Sequence, residues 1–304
     1  MKVGTGLRSF GEILRPDQAE PPILAPAVRG AVAGWMAEMR AEAELQAVGL
    51  KARRRAMLYG PPGTGKTTLA HHVAARLGLP MLRVRADRLT GQYMGQATQA
   101  VAQLFDLIEE EEKPLVLFFD EMEGIGSKRE SFSRGGADNE RMLQMGVLLQ
   151  RVERHEGILI GATNKKEMLD DALWRRFDLQ ILIGQPGEDE RFAILRRYLA
   201  PYAPSDEAVF AMSKALDGAS PALLRGFSES LKRISILGPR MGRAQSFAEI
   251  LASLAVSVQP HPSYDPPPLW GDRGARERLA EAFPWPMARP EAPEGDAEGG
   301  HERP

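Results

Sequence analysis

The chain has 304 residues, 43% apolar and 26% charged, with a formal net charge of −2 and a pI near 6.3. That balance fits a globular protein and argues against a strongly basic nucleic-acid surface. With no cysteine there are no disulfides, thiolate metal sites or cysteine nucleophiles, and no run approaches the ~20 apolar residues of a membrane span. A reducing compartment, the cytoplasm, is the expectation, and the N-terminus shows no apolar signal core.

Residues 1–22 carry scattered glycine and charge and end in Pro21-Pro22, which predicts a flexible arm. From Pro26 the positions Val28, Ala31, Val32, Trp35, Met36 and Met39 recur at helical spacing, predicting one helix that ends near Gly49. Arg55–Tyr59 is a short apolar run suited to a buried strand. Gly and Pro then cluster at 60–65, and Thr67–Leu77 is helix-forming. Met81–Val84 predicts a strand, 97–112 a helix, Leu115–Phe119 a strand too apolar to be half exposed, and 140–152 a helix. Residues 158–162 and 179–183 predict two more strands. Apolar strands alternating with helices imply a parallel sheet covered on both faces, an α/β domain over 23–186. After Pro186 the strand signal stops. Segments 188–200, 205–217, 220–236 and 245–257 read as helices of a small all-helical domain, 187–258. Ser220-Pro221 supplies an N-cap and a first-turn proline. Residues 259–304 are rich in Pro, Gly and Glu and predict a largely disordered tail with isolated aromatics, Trp270, Phe283 and Trp285.

Gly60-Pro61-Pro62-Gly63-Thr64-Gly65-Lys66-Thr67 is a complete G-x-x-x-x-G-K-T phosphate loop between a strand and a helix. Glycines there let backbone N–H groups close around phosphate oxygens, and the helix N-terminus adds a favourable dipole. Lys66 is positioned by this motif to bridge phosphates and Thr67 to hold Mg²⁺. Asp120-Glu121 closes the most apolar strand. An aspartate there holds Mg²⁺ through its water shell, and a glutamate next to it can polarise an attacking water. Asn164 ends the following strand and would face the same crevice. Arg175-Arg176 precedes the last strand; an adjacent pair suits charge stabilisation on a transferring phosphoryl group, although a surface pair bridging to acids is the simpler reading of the doublet alone. The histidines do not cluster, and Lys51 with Arg53–Arg55 reads as a solvated approach to the first strand of the series.

Taken together these motifs resemble the AAA subfamily of the AAA+ ATPases, the module of katanin, spastin and FtsH, here of the stand-alone bacterial type. Gly60–Thr67 matches Walker A, Leu115–Glu121 Walker B, Asn164 sensor 1 and Asp171–Asp178 the second region of homology, over about residues 26–236. The resemblance implies a P-loop NTPase (ASCE) α/β fold with a helical lid, and ATP and Mg²⁺ as cofactors. Gly60, Pro61, Pro62, Gly63, Thr64, Gly65, Lys66, Thr67 and Thr68 would contact the nucleotide, and Thr67 and Asp120 the metal. Glu121 and Asn164 would serve hydrolysis, and Arg175 and Arg176 would reach into the ATP site of a neighbouring subunit. Tyr93-Met94-Gly95 is similar to the substrate-gripping pore loop, Ser127–Asn139 to a second pore loop, and Gly218–Leu224 to a lid segment that would set Ala222 against adenine; Pro221 and Leu223 depart from its usual pattern. The function implied is a ring motor, a homo-oligomer and most simply a hexamer, threading or remodelling protein substrates. Two alternatives stand beside it: a loader in DNA transactions, against which the acidic pI and Tyr93-Met94-Gly95 count, and a regulatory switch for a partner protease of the subtilisin type.

Overall fold

The computed structural model describes residues 4–89, 95–126, 136–241 and 245–288. The chain forms two compact units, residues 1–184 and 185–304.

In the first unit a 3-10 turn leads into β1 (Gly11–Leu14), followed by α1 (Pro26–Arg40) and α2 (Glu42–Ala47). Then come β2 (Arg55–Tyr59), α3 (Lys66–Arg76), β3 (Met81–Val84), α4 (Gln96–Glu109), β4 (Val116–Phe119), α5 (Gly136–Arg154), β5 (Ile158–Thr163), α6 (Asp171–Trp174) and β6 (Leu179–Leu182). The sheet order is β1-β3-β4-β5-β2-β6, with every pairing parallel except β1 against β3. Successive side chains of a strand point to opposite faces, and the sheet separates its residues accordingly. Leu117 and Phe119 of β4 join Leu82, Val84, Met57 and Leu159 under α4 and α5. Val116 and Phe118 join Met81, Ala56, Leu58, Ile160 and Ala162 under α1 and α3. Because both faces are covered, all four residues of β4 and all six of β5 are buried. This is the α/β sheet of a P-loop NTPase with six strands.

Two expectations for this unit change. Residues 1–22 are not simply a flexible arm: Leu7 and Phe10 are buried under α4, and β1 pairs with β3 from Gly11↔Val84 to Leu14↔Met81. Gly11 is required there, since a Cβ would lie 2.0 Å from the Arg83 carbonyl oxygen. Nor is 26–49 one helix. The chain breaks at Ala41, and Trp35 is fixed by donating from Nε1 to the Arg53 carbonyl at 2.8 Å.

The second unit is helical: α7 (Glu188–Leu199), α8 (Asp206–Ala215), α9 (Pro221–Leu237), α10 (Phe247–Ser257), α11 (Pro268–Gly271) and α12 (Arg273–Ala282). Serine hydroxyls cap three of these helices. Ser205 accepts from the Ala208 N–H, Ser220 from Leu223 and Ser246 from Glu249, each at 3.3 Å. The expected disordered tail is folded as far as residue 288. Leu269, Leu279, Phe283 and Met287 are buried. Phe247 stacks with Phe283 and Trp285 at centroid distances of 5.0 and 5.2 Å. Trp270 meets Phe227 edge-on and donates to the Val258 carbonyl at 2.9 Å. Aromatics that look isolated in a Pro-rich sequence thus supply the apolar area that orders the segment. Residues 289–304 lie outside the described residues.

Candidate functional site

Adjacency of β2, β4 and β5 in one parallel sheet brings their carboxyl ends together, and the motif residues stand there. The phosphate loop leaves β2 at Gly60, whose N–H donates to the Thr163 carbonyl at 3.3 Å. Gly60 has φ 143°, and a Cβ on it would lie 2.2 Å from the Ile183 carbonyl oxygen, so only glycine fits. Gly63 (φ 76°) and Gly65 (φ 92°) turn the loop into the N-terminus of α3. Thr64 Oγ1 donates to the Pro61 carbonyl at 3.0 Å and braces the turn. Pro62 lies in the loop, and Thr68 in the first turn of α3.

Lys66 is buried, and its Nζ donates to the carbonyls of Gly60 at 2.8 Å and Pro61 at 2.7 Å. Burial pushes its ammonium down to about 8, with Asp120 and Glu123 pulling the other way. A desolvated cation at a helix N-terminus is suited to an anion. Thr67 Oγ1 donates to Asp120 Oδ2 at 3.1 Å, although the two stand 53 residues apart in sequence. This hydroxyl–carboxylate pair beside the loop is a donor set of the hard oxygen type that suits Mg²⁺. The residues present therefore fit a nucleotide and its metal.

Glu121 follows with φ 54° and ψ 53°, left-handed; among the described residues no other non-glycine has positive φ. Such a conformation costs on the order of 1–3 kcal/mol and gathers at functional positions. Asn164 follows β5, and its N–H donates to Glu123 Oε1 at 3.3 Å. Glu123, two residues after Glu121, is partly buried. Its Oε2 is buried and has no hydrogen-bond partner among the described residues.

Two residues of this neighbourhood were not singled out by sequence. One is Glu123. The other is Arg83 of β3, whose Nε and Nη2 both donate to Asp120 Oδ2, at 3.1 and 2.7 Å. The available signal was a lone arginine inside the apolar run Met81–Val84.

Arg175 and Arg176 follow α6. Arg176 is held by the Glu153 carboxylate at 3.4 Å and the Ala172 carbonyl at 3.3 Å, whereas Arg175 is exposed and its side chain makes no hydrogen bond or ion pair among the described residues. Tyr93 and Met94 lie outside the described residues; Gly95 (φ 86°) is the N-cap of α4. Ser127–Gly135 also lie outside them, while 136–139, expected in the same polar loop, form the first turn of α5. Ala222 is in the first turn of α9, in the second unit. Arg225 is engaged in its own unit, with Glu229 at 2.8 Å and over the Tyr198 ring. Among the described residues no helix is long and apolar enough to cross a membrane.

The comparisons agree with this geometry. Residues 56–185 match the family described as ATPase family associated with various cellular activities (AAA). An uncharacterized AAA family ATPase, y4kL, of Sinorhizobium fredii is 36% identical over 180 residues, 58% of this chain and 53% of the relative. The 26S proteasome regulatory subunit 10B homolog A of Arabidopsis thaliana is 33% identical over 201 residues, 64% of this chain and 50% of that protein. An ATP-dependent zinc metalloprotease FtsH of Cutibacterium acnes is 38% identical over 159 residues, 51% of this chain and 22% of that protein. The chain thus spans about half the length of the first two and less of the third. Loop, sheet order and matched segment together identify residues 56–185 as an AAA+ ATPase module.

Proposed function

We propose that the chain binds ATP with Mg²⁺ at the carboxyl ends of β2, β4 and β5, hydrolyses it, and uses the cycle to remodel or thread protein substrates. The observation that carries the chemistry is the Thr67–Asp120 contact beside a loop closed by a buried Lys66. Lys66 leaves its carbonyl partners for phosphate oxygens, and the loop N–H groups from Gly63 to Thr68 cradle them, Pro61 and Pro62 having none and Gly60 donating to Thr163. Thr67 and Asp120 hold the metal, which supplies neutralisation of charge on the phosphates. Glu121 orients and deprotonates the attacking water, and Asn164 fixes that water's position. By resemblance, Ala222 is the proposed adenine contact.

Arg175 is the arginine offered to a neighbouring subunit. Arg176 already spends its guanidinium on Glu153 and the Ala172 carbonyl, while Arg175 is exposed. Hydrolysis in trans requires a homo-oligomer, proposed as a hexameric ring. Tyr93-Met94-Gly95 would line its pore, with Gly95 the left-handed N-cap of α4. Two relatives are named as a proteasome regulatory subunit and an ATP-dependent protease, which favours protein substrates and a partner protease over a role on DNA.

Lys66→Ala and Glu121→Gln test the reading as a pair. The first should lose nucleotide binding; the second should bind ATP while phosphate release nearly stops. Equal loss of affinity in both variants would refute the assignment. Proteins retained by the ATP-loaded Glu121→Gln variant then identify the substrate or partner.

A further inference from the structure

Arg83 is opposite Phe118 in the β3–β4 ladder. Alternation along the strands sets Arg83, Phe118 and Asp120 on one face of the sheet, the face that α3 covers and from which Thr67 reaches Asp120. Arg83 makes a side-on contact through Nε and Nη2 with a single oxygen, Asp120 Oδ2. That oxygen also accepts the Thr67 hydroxyl, so three donors converge on it, two of them from one fixed cation. The Arg83 side chain is 41% exposed and that of Asp120 20%. A pair so open to water adds little to fold stability, and a structural purpose alone accounts poorly for a guanidinium at this position.

The position matters because Asp120 is the carboxylate proposed to hold Mg²⁺. A hydrated divalent cation is held through its waters by a carboxylate with uncompensated charge, and Arg83 compensates that charge. Lys66 behaves in parallel, held on the Gly60 and Pro61 carbonyls. Both cations at the site are thus engaged with the protein's own acceptors. We propose that Arg83 is a positioning residue that competes with Mg²⁺ for Asp120, holding the metal aspartate in the nucleotide-free protein and setting the Mg²⁺ concentration at which a Mg–nucleotide complex binds. This inference rests on the reading of the site as an ATP–Mg²⁺ site.

The test is equilibrium binding of a fluorescent ADP analogue to the full chain across a Mg²⁺ titration, with a parallel series in EDTA. ADP removes hydrolysis from the readout. Arg83→Met keeps the stem and removes the charge. Its half-saturating Mg²⁺ should fall about three- to tenfold, as expected for loss of a charge-assisted competitor, with affinity in EDTA within about twofold of wild type. Arg83→Lys keeps a point charge without the side-on pair of donors and should shift the midpoint in the same direction by less. Both variants are compared with wild type by thermal melting, and Arg83→Lys carries the test if the Met variant does not fold. An unchanged or raised Mg²⁺ midpoint in a folded variant overturns the proposal. So does an equal loss of affinity with and without Mg²⁺, which would make Arg83 a direct phosphate ligand. Wild-type protein that binds no nucleotide at any Mg²⁺ concentration would instead refute the ATP site, and this inference with it.

Discussion

Raising the pH should weaken nucleotide binding in a way set by Lys66 alone. Its ammonium is buried and held near a pKa of about 8, below the ordinary 10.5, because burial outweighs the pull of Asp120 and Glu123. The nucleotide-free protein therefore loses this proton near pH 8, while phosphate binding requires it back. The apparent Kd should rise by a factor of 1 + 10^(pH−8), about twofold at pH 8 and about tenfold at pH 9, the latter about 1.4 kcal/mol. Fluorescent-nucleotide titrations between about pH 6.5 and about pH 9.5 measure this. Calorimetry in buffers of different ionisation enthalpy counts the proton, and close to one should be taken up at pH 9. Lys66→Arg keeps a charge that does not titrate in this range, so the slope should vanish whatever its affinity. Stability of the free protein moves oppositely. Unfolded Lys66 keeps its proton to pH 10.5 and folded Lys66 to about 8, so between those values the unfolded chain binds more protons and stability rises with pH. Wild-type affinity that stays flat to pH 9.5, or an equal slope in the Arg variant, would refute the argument.

Four further outcomes are expected. Arg175→Ala should lower ATPase on the order of 10³-fold and Arg176→Ala far less, and mixing Arg175→Ala with Lys66→Ala subunits should restore part of the activity; an active monomer whose turnover ignores protein concentration would count against this. Phe283→Ala should destabilise the second unit by about 3–5 kcal/mol, since it removes a buried ring stacked on Phe247, and chemical denaturation measures it. His155 is pushed down to about 4, chiefly by burial and then by Arg55 and Arg54. Its unfolded form binds a proton below 6.5, so stability should fall between pH 6.5 and pH 4 by up to about 3 kcal/mol, and a His155→Gln variant should lose most of that slope. Tyr93→Ala should leave melting temperature and basal ATPase near wild type while abolishing substrate processing; loss of both stability and ATPase with processing per ATP unchanged would point to a packing role.

The parts of the fold that were legible in the sequence are those that declare themselves locally. A strand covered on both faces must be apolar throughout, as Val116–Phe119 is, and a phosphate loop must place glycines where φ is positive. β1 escaped notice because Gly11-Glu12-Ile13-Leu14 has only two apolar side chains. It is a strand because Gly11 permits close approach to Arg83 and because Leu7 and Phe10 anchor the residues before it. The helices α11 and α12 were hidden for a related reason. Proline and charge dominate their sequence, and the residues that fold them, Leu269, Leu279 and Phe283, find their partners on other helices. In the candidate site the motif residues were visible one by one, whereas the Arg83–Asp120 contact joins positions 37 apart, one on β3 and one just past the neighbouring β4, and no local pattern encodes it.

At position 121 the needs of the backbone and of the proposed chemistry disagree. Glycine, or to a lesser degree asparagine, would relax into the left-handed conformation and should stabilise the chain by roughly 1 kcal/mol. Neither carries a carboxylate to deprotonate water. A library screened only for heat resistance should therefore enrich replacements of Glu121 and deliver sturdier proteins that no longer turn over ATP.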